Sequence, residues 1–193
     1  MAIKWPSRTS APIRADSRAD SLDDSRADSL AGADLTGRRL VGVDLRGADL
    51  TGTRFDSANL RQAALRGARA SRASFAAARV VRADLAGTFL RAADLTSADL
   101  SGADLRAADL TGARLVGANL FGADLRAADL TGADLRRATL EAATLRRAVV
   151  CGADLTGARM ATADLREIDA DGGTRWPEGI PGPRRPLSVP LSL

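Results

Sequence analysis

The chain is 193 residues long and 45% hydrophobic but only 3% aromatic, with 28 Lys+Arg against 24 Asp+Glu and a formal net charge of +4. That apolar content excludes a wholly disordered chain, and its make-up, chiefly Ala and Leu, suits a thin core of uniform layers rather than a globule packed around rings. With no His and no Tyr, a His-based general base or zinc site is excluded, and the single Cys151 cannot form an internal disulfide.

Residues 1–30 begin with a short Trp/Pro-containing lead and continue as "RADSRADSLDDSRADSL", where Arg14, Arg18 and Arg26 interleave with Asp16, Asp20, Asp24 and Asp28. As a helix this segment has only Leu22 and Leu30 as apolar anchors and buries little. Two readings stand: a solvated low-complexity tail, or a cap over the first coil of the repeat that begins at residue 31. No apolar stretch of signal-peptide length starts the chain, and none later approaches the ~18 residues of a membrane span. The sequence is therefore expected to be cytoplasmic, with no membrane partner.

Residues 31–170 hold a strict repeat of five. From Leu35 to Leu165 there are 27 frame positions, of which 21 are Leu; the others are Phe55, Ala70, Phe75, Val80, Val150 and Met160. Two residues before each stands Ala in 23 of 27 cases, the exceptions being Arg38, Val43, Thr53 and Thr88. A period of five is neither the ~3.6 of a helix nor the 2 of a strand. Unbroken over so long a span, it is the signature of a solenoid whose units bury their apolar side only by stacking. If each pentapeptide makes one short side of a coil and then turns, Leu and the Ala two before it face the axis. Gly at the second position after Leu, found 13 times as at Gly102, Gly112 and Gly132, favours the corner. Four corners close a square, so twenty residues make a coil and Leu95, Leu115 and Leu135 stack.

Runs such as "GADLRAADLTGADL" resemble the pentapeptide-repeat family, with its A-(D/N)-L-x-x consensus. The resemblance implies an all-β, right-handed quadrilateral parallel β-helix of about seven coils, four pentapeptides to each. Residues 171–193, "DGGTRWPEGIPGPRRPLSVPLSL", end the repeat; Trp-Pro-x-Gly segments close the repeats elsewhere in the family, so Trp176 and Ile180 are expected to cover the last coil. The Pro-rich remainder reads equally as a loose tail or a strap.

Departures from the repeat are where function can show. Arg38 falls on an inward slot, which implies a first coil that is irregular or open at its end. Phe55 and Phe75, twenty residues apart, are expected to stack inside and fill volume that Ala70 leaves. Phe89 and Phe121 fall on outward slots. Val41, Val81 and Phe121 share one side with Arg39, Arg61, Arg79, Arg82 and Arg159, and Arg39, Val41, Arg61, Arg79, Val81 and Phe121 form a candidate protein contact. Charge also segregates: Arg54 to Arg82 holds seven Arg against Asp56 alone, whereas Ala93 to Leu135 holds seven Asp against three Arg.

No catalytic residue, metal site or cofactor is expected. Asp lies on an outward slot before Leu, where solvent leaves its pKa ordinary, and the glycines sit at corners rather than in a phosphate loop. The favoured function is a non-enzymatic scaffold that binds a protein partner. The family resemblance supplies the alternative, a DNA mimic that binds DNA gyrase or topoisomerase IV and protects it from quinolones or other poisons; its acids would be Asp94, Asp99, Asp104, Asp109, Asp124, Asp129 and Asp134. Direct nucleic-acid binding is disfavoured because the basic belt lacks exposed aromatics. Monomer and homodimer are both open.

Overall fold

The computed structural model describes residues 29–180 and Gly182; the expectations for residues 1–28, and for the Pro-rich tail beyond Gly182, lie outside the described residues. The chain is an all-β, right-handed quadrilateral parallel β-helix. Its sides are single-residue parallel bridges at the position before each central residue. Every ladder step from Asp34↔Arg54 to Val149↔Asp169 joins residues twenty apart. Vertical neighbours on one side are thus the same pentad position in successive coils, at the inter-strand spacing of about 4.8 Å.

The five-residue unit is explained by where its amide groups go. In the pentad ending at Leu115, Arg114 N donates back to Ala93 O (2.9 Å) and Leu115 N donates forward to Asp134 O (2.7 Å). At the preceding corner Ala113 N closes a turn onto Leu110 O (2.9 Å), while Gly112 N reaches Thr131 O in the next coil (2.9 Å). The fifth amide, Thr111 N, donates to the carboxylate of Asp109 (3.1 Å). The acid before Leu is therefore a turn cap of the Asx type, and it completes the backbone's hydrogen bonding.

The third residue of a turn of this kind favours positive φ. Gly112 (φ 64) and its counterparts adopt it freely, and thirteen non-glycine residues, among them Ala77 (φ 55), Ala92 (φ 54) and Ala107 (φ 54), take the same conformation. One frame corner between Gly32 and Glu167 departs: Thr162 is absent from the positive-φ residues, as its β-branch disfavours that region. There the side-chain Oγ1 of Thr162, rather than a carbonyl, accepts from Ala142 N (2.9 Å).

Inside, the Leu and Ala rows are buried from Ala58 to Met160. Phe55 and Phe75 are fully buried and stacked, ring centroids 4.9 Å apart at 15°, in the same cluster as Ala70. Where Thr replaces the inward Ala, its hydroxyl finds a carbonyl one coil back: Thr53 donates to Leu30 O (2.7 Å) and Thr88 to Leu65 O (2.8 Å). Arg38 does not disturb the frame. The Arg39↔Asn59 bridge is regular, and Arg38 is half-buried on a coil with no described residue stacked beyond it.

The last coil gains one residue, so its bridge Asp154↔Arg175 spans twenty-one. Asp171 absorbs the insertion: its Oδ1 accepts from Gly152 N (2.8 Å) and Gly173 N (3.0 Å), replacing the carbonyl a regular corner supplies. Beyond it Trp176 and Ile180 pack against the core as the sequence leads one to expect. Gly182 lies against the indole, where an added Cβ would clash with Trp176 Nε1.

Candidate functional site

Four sides and four corners present outward ladders, and their charges are not alike. On the side of Leu105 and Leu125, aspartate precedes Leu and arginine comes after it, and the two close a fork. Arg106 holds Asp104 through Nε (2.8 Å) and Nη2 (2.6 Å), and Arg126 holds Asp124 at the same two distances. Arg136 binds Asp134 likewise (2.8 and 2.6 Å). Asp109 lies 3.8 Å from Arg91, and Glu167 is gripped by both Arg146 and Arg147. These partly exposed pairs add little stability, but they cancel the field locally.

The seven middle acids are half-buried rather than freely solvated. Hydrogen bonds from Arg106 hold the Asp104 carboxyl below its ordinary range; Arg136 does this for Asp134, and the Thr131 hydroxyl for Asp129. Asp164 is lowered furthest, to about 2, first by the hydrogen bond from Arg166. The outward slot alone leads one to expect an ordinary carboxylate, and at Asp104, Asp129, Asp134 and Asp164 the turn geometry overrules that: the capped amide and the side chain two residues on both favour the charged form. The direction is towards permanent ionisation, opposite to what a general acid needs. Of the seven, Asp94, Asp99 and Asp129 have no ion pair within 4.0 Å, and they point from three different sides.

The arginines divide more sharply. Twelve of those described have an acidic partner within 4.0 Å; Arg38, Arg39, Arg61, Arg69, Arg72, Arg79, Arg82, Arg114 and Arg137 do not. Seven of these nine fall in the first three coils. The bridges Arg39↔Asn59 and Asn59↔Arg79 put Arg39 and Arg79 in one ladder. Val41, Arg61 and Val81 form the corner column beside it, with Gln62 and Arg82 next along. Arg39, Arg61, Arg79 and Arg82 are exposed while Val41 and Val81 are half-buried between them. Arg82 leans over Gly102, where its Cγ would lie 3.4 Å from an added Cβ.

The nearest acid on this ladder, Asp99, bridges to Arg79 but turns to the next coil, accepting from Asn119 Nδ2 (3.0 Å) and Ser101 N (3.1 Å). Phe121 is 52% exposed two coils beyond Val81 in the same column. The structure thus brings Arg39, Val41, Arg61, Arg79 and Val81 together, with Phe121 at the far end. It separates Arg159, which binds Glu141 (3.0 Å). Phe89, 48% exposed, stands on another side above Arg69. What the sequence did not reveal was the Asp cap, although acid before Leu followed by Thr or Arg is its signal. Among the described residues no group of His, Cys, Asp or Glu could hold a metal ion, and no helix is long and apolar enough to cross a membrane.

Sequence comparison matches the pentapeptide repeats, in 8 copies over residues 29–67, 54–96, 73–112, 98–137 and 128–169. Among solved structures, the chain is similar to a pentapeptide repeat protein from the thylakoid lumen of Arabidopsis thaliana: 36% identity over 46% of this chain and 63% of that one, TM-score 0.44. It is also similar to HetL, a pentapeptide repeat protein involved in heterocyst differentiation regulation from a Nostoc cyanobacterium: 27% identity over 84% of this chain and 89% of that one, TM-score 0.36. A third is QnrB1, a plasmid-mediated fluoroquinolone resistance protein: 20% identity over 75% and 85% of the two chains, TM-score 0.42. The chain spans just under two thirds of the Arabidopsis protein, 63%. No curated protein sequence matches.

Proposed function

The chain belongs to the pentapeptide-repeat family, and on that footing we propose that it is a rigid, non-enzymatic scaffold for a protein partner. The observation that carries this reading is the pairing of charge. Most outward arginines and acids answer one another within the rod, and one ladder with its corner column is left with uncompensated arginines around half-buried valines. A stiff stack holds the backbone of such a surface in one geometry, so binding orders side chains only. The test is photo-cross-linking in cell extract from the full chain, with benzoylphenylalanine placed in turn at Val81, Thr96, Arg106 and Thr131, one on each corner column. Capture of a protein from one column and not the others supports the scaffold reading, and no capture from any column overturns it.

A second reading has a specific support. Asp94, Asp99 and Asp129 have no arginine within ion-pair reach, so the acidic middle could present unpaired charge to DNA gyrase or topoisomerase IV as a duplex mimic. Duplex DNA carries about one negative charge per 1.7 Å, or about six over the ~10 Å from Asp94 to Asp134. Three unpaired carboxylates on three sides fall short of that density, which ranks this reading second. A gyrase supercoiling assay with and without a quinolone decides it: inhibition or drug rescue that is lost in Asp94→Asn/Asp99→Asn/Asp129→Asn supports mimicry, and an unchanged reaction removes it.

A further inference from the structure

We propose that the partner contacts this rod through an acidic, extended segment of protein chain that lies along Arg39, Arg61, Arg79 and Arg82. The inference rests on the scaffold reading and names the chemistry of what the scaffold holds.

The four guanidinium groups span three coils, about 10 Å from Arg39 to Arg79 at the ladder spacing. None has an ion pair within 4.0 Å, although forks like that of Arg106 with Asp104 occur on another side of the same rod. Sequence position explains the difference. Arg106 comes after a Leu whose preceding residue is Asp104, whereas Arg61 comes after Asn59-Leu60 and Arg82 after Arg79-Val80-Val81. Between Arg39 and Arg79 on the ladder stands the amide Asn59, and Gln62 stands below Arg82 on the corner; the one acid beside the patch, Asp99 above Arg79, is engaged by Asn119 Nδ2 (3.0 Å) and Ser101 N (3.1 Å) and makes no ion pair with Arg79. A row of arginine forks accepts carboxylates bidentately.

Phosphates offer the same charge, and three observations favour carboxylates on a protein chain. Val41 and Val81 sit between the arginines, so a ligand that covers the guanidinium groups also covers apolar surface. The patch has no aromatic side chain on which a base could stack, which a single-stranded nucleic acid needs. Finally, the same column continues to Phe121, 52% exposed, about 19 Å from Val41 along the rod. At about 3.3 Å per residue, some six extended residues bridge that distance. A segment with acids at one end and an apolar residue at the other matches it.

The experiment titrates the full chain into a fluorescein-labelled peptide of six glutamates and reads anisotropy at low salt. The proposal expects binding that weakens tenfold or more in Arg39→Gln/Arg61→Gln/Arg79→Gln/Arg82→Gln. A control, Arg69→Gln/Arg72→Gln/Arg114→Gln/Arg137→Gln, removes the same charge from other unpaired arginines and should change affinity less than twofold. Equal weakening in both variants means the peptide reads net charge alone, and no binding to the parent means the patch is not a carboxylate site; either result overturns the proposal. Duplex DNA and vesicles containing phosphatidylglycerol, which is anionic through phosphate alone, are titrated alongside. Tighter binding of either one, lost with the four patch arginines, assigns the patch to phosphate and also overturns it. All eight positions are outward, and a circular-dichroism melt confirms that each variant folds. If cross-linking captures a partner through another corner while the peptide does not bind, the scaffold reading survives and this inference does not.

Discussion

The strained corners offer the sharpest test of the backbone account. Ala77, Ala92 and Ala107 hold φ of 55°, 54° and 54°. An L-residue in this left-handed region costs about 1–2 kcal/mol. Replacing each by Gly removes that strain and adds about 0.5–1 kcal/mol of unfolded-state entropy, so each substitution should net about 0.5–1 kcal/mol of stabilisation. The three sit on different corner columns and should add, giving about 2 kcal/mol for Ala77→Gly/Ala92→Gly/Ala107→Gly. For a chain of this size that is a rise in Tm of about 4–8 °C. Gly112→Ala runs the other way. Its φ is 64° and an added Cβ meets nothing within 4 Å, so the loss of about 1 kcal/mol would come from backbone conformation alone. Thermal unfolding monitored by circular dichroism reads both. If the triple glycine variant melts below the parent, or Gly112→Ala melts above it, the corners do not store strain and the turn assignment is wrong.

The core, the acids and the last coil each carry a further prediction. Leu115, fully buried at mid-stack, should lose about 2–5 kcal/mol as Leu115→Ala, and Leu115→Lys should abolish the cooperative transition; a parent-like melt of the lysine variant would mean the frame is misassigned. Folding lowers the carboxyl pKa at Asp44, Asp104, Asp134 and Asp164. Their contribution is therefore complete above the unfolded value near ~3.9 and disappears as pH falls through the folded values, to about 2 at Asp164. Tm measured from pH 5 to pH 2 should hold until about 4 and then drop, and a flat profile contradicts the caps. Gly182→Ala should drive the indole of Trp176 off the last coil, and with Trp5→Phe removing the other tryptophan, its emission should shift to the red. Unchanged emission would show that the indole does not depend on that close approach.

The scaffold is legible in the sequence because one geometric demand repeats. Leu and Ala recur at the two inward positions, so the coil, the stacking of Leu95 on Leu115 and the pairing of Phe55 with Phe75 can all be counted off in fives. The corner glycines are legible too, but thirteen corners take positive φ without glycine, since the stack on either side imposes the turn on most residue types, with the β-branched Thr162 the exception. Arg38 teaches the same lesson, as one arginine on an inward slot of the first described coil does not outweigh the ladder that fixes its neighbours. The inserted residue in the last coil is harder to read. A shift of one residue looks in the sequence like the end of the repeat, and only the carboxylate of Asp171 standing in for a carbonyl shows that the coil continues.

The outward residues are legible only in part, for a physical reason that also bears on function. Their partners lie two residues away along the chain or about twenty away through the ladder, and both must be known before a charge can be called free. Arg66 and Arg82 look alike in composition, yet Arg66 Nε binds Asp84 across a coil (3.0 Å) whereas Arg82 lies over Gly102 and binds no acid. The basic belt read from residues 54–82 therefore divides: Arg54 and Arg66 are neutralised by acids, Arg61, Arg79 and Arg82 join Arg39 on one surface, and Arg69 and Arg72 stand unpaired on other sides. The acidic middle divides in the same way, into forks that cancel and three carboxylates that do not. Net charge along the chain overstates both regions. What a partner meets is the charge left after internal pairing, and in this rod that charge is most concentrated at the four arginines around Val41 and Val81.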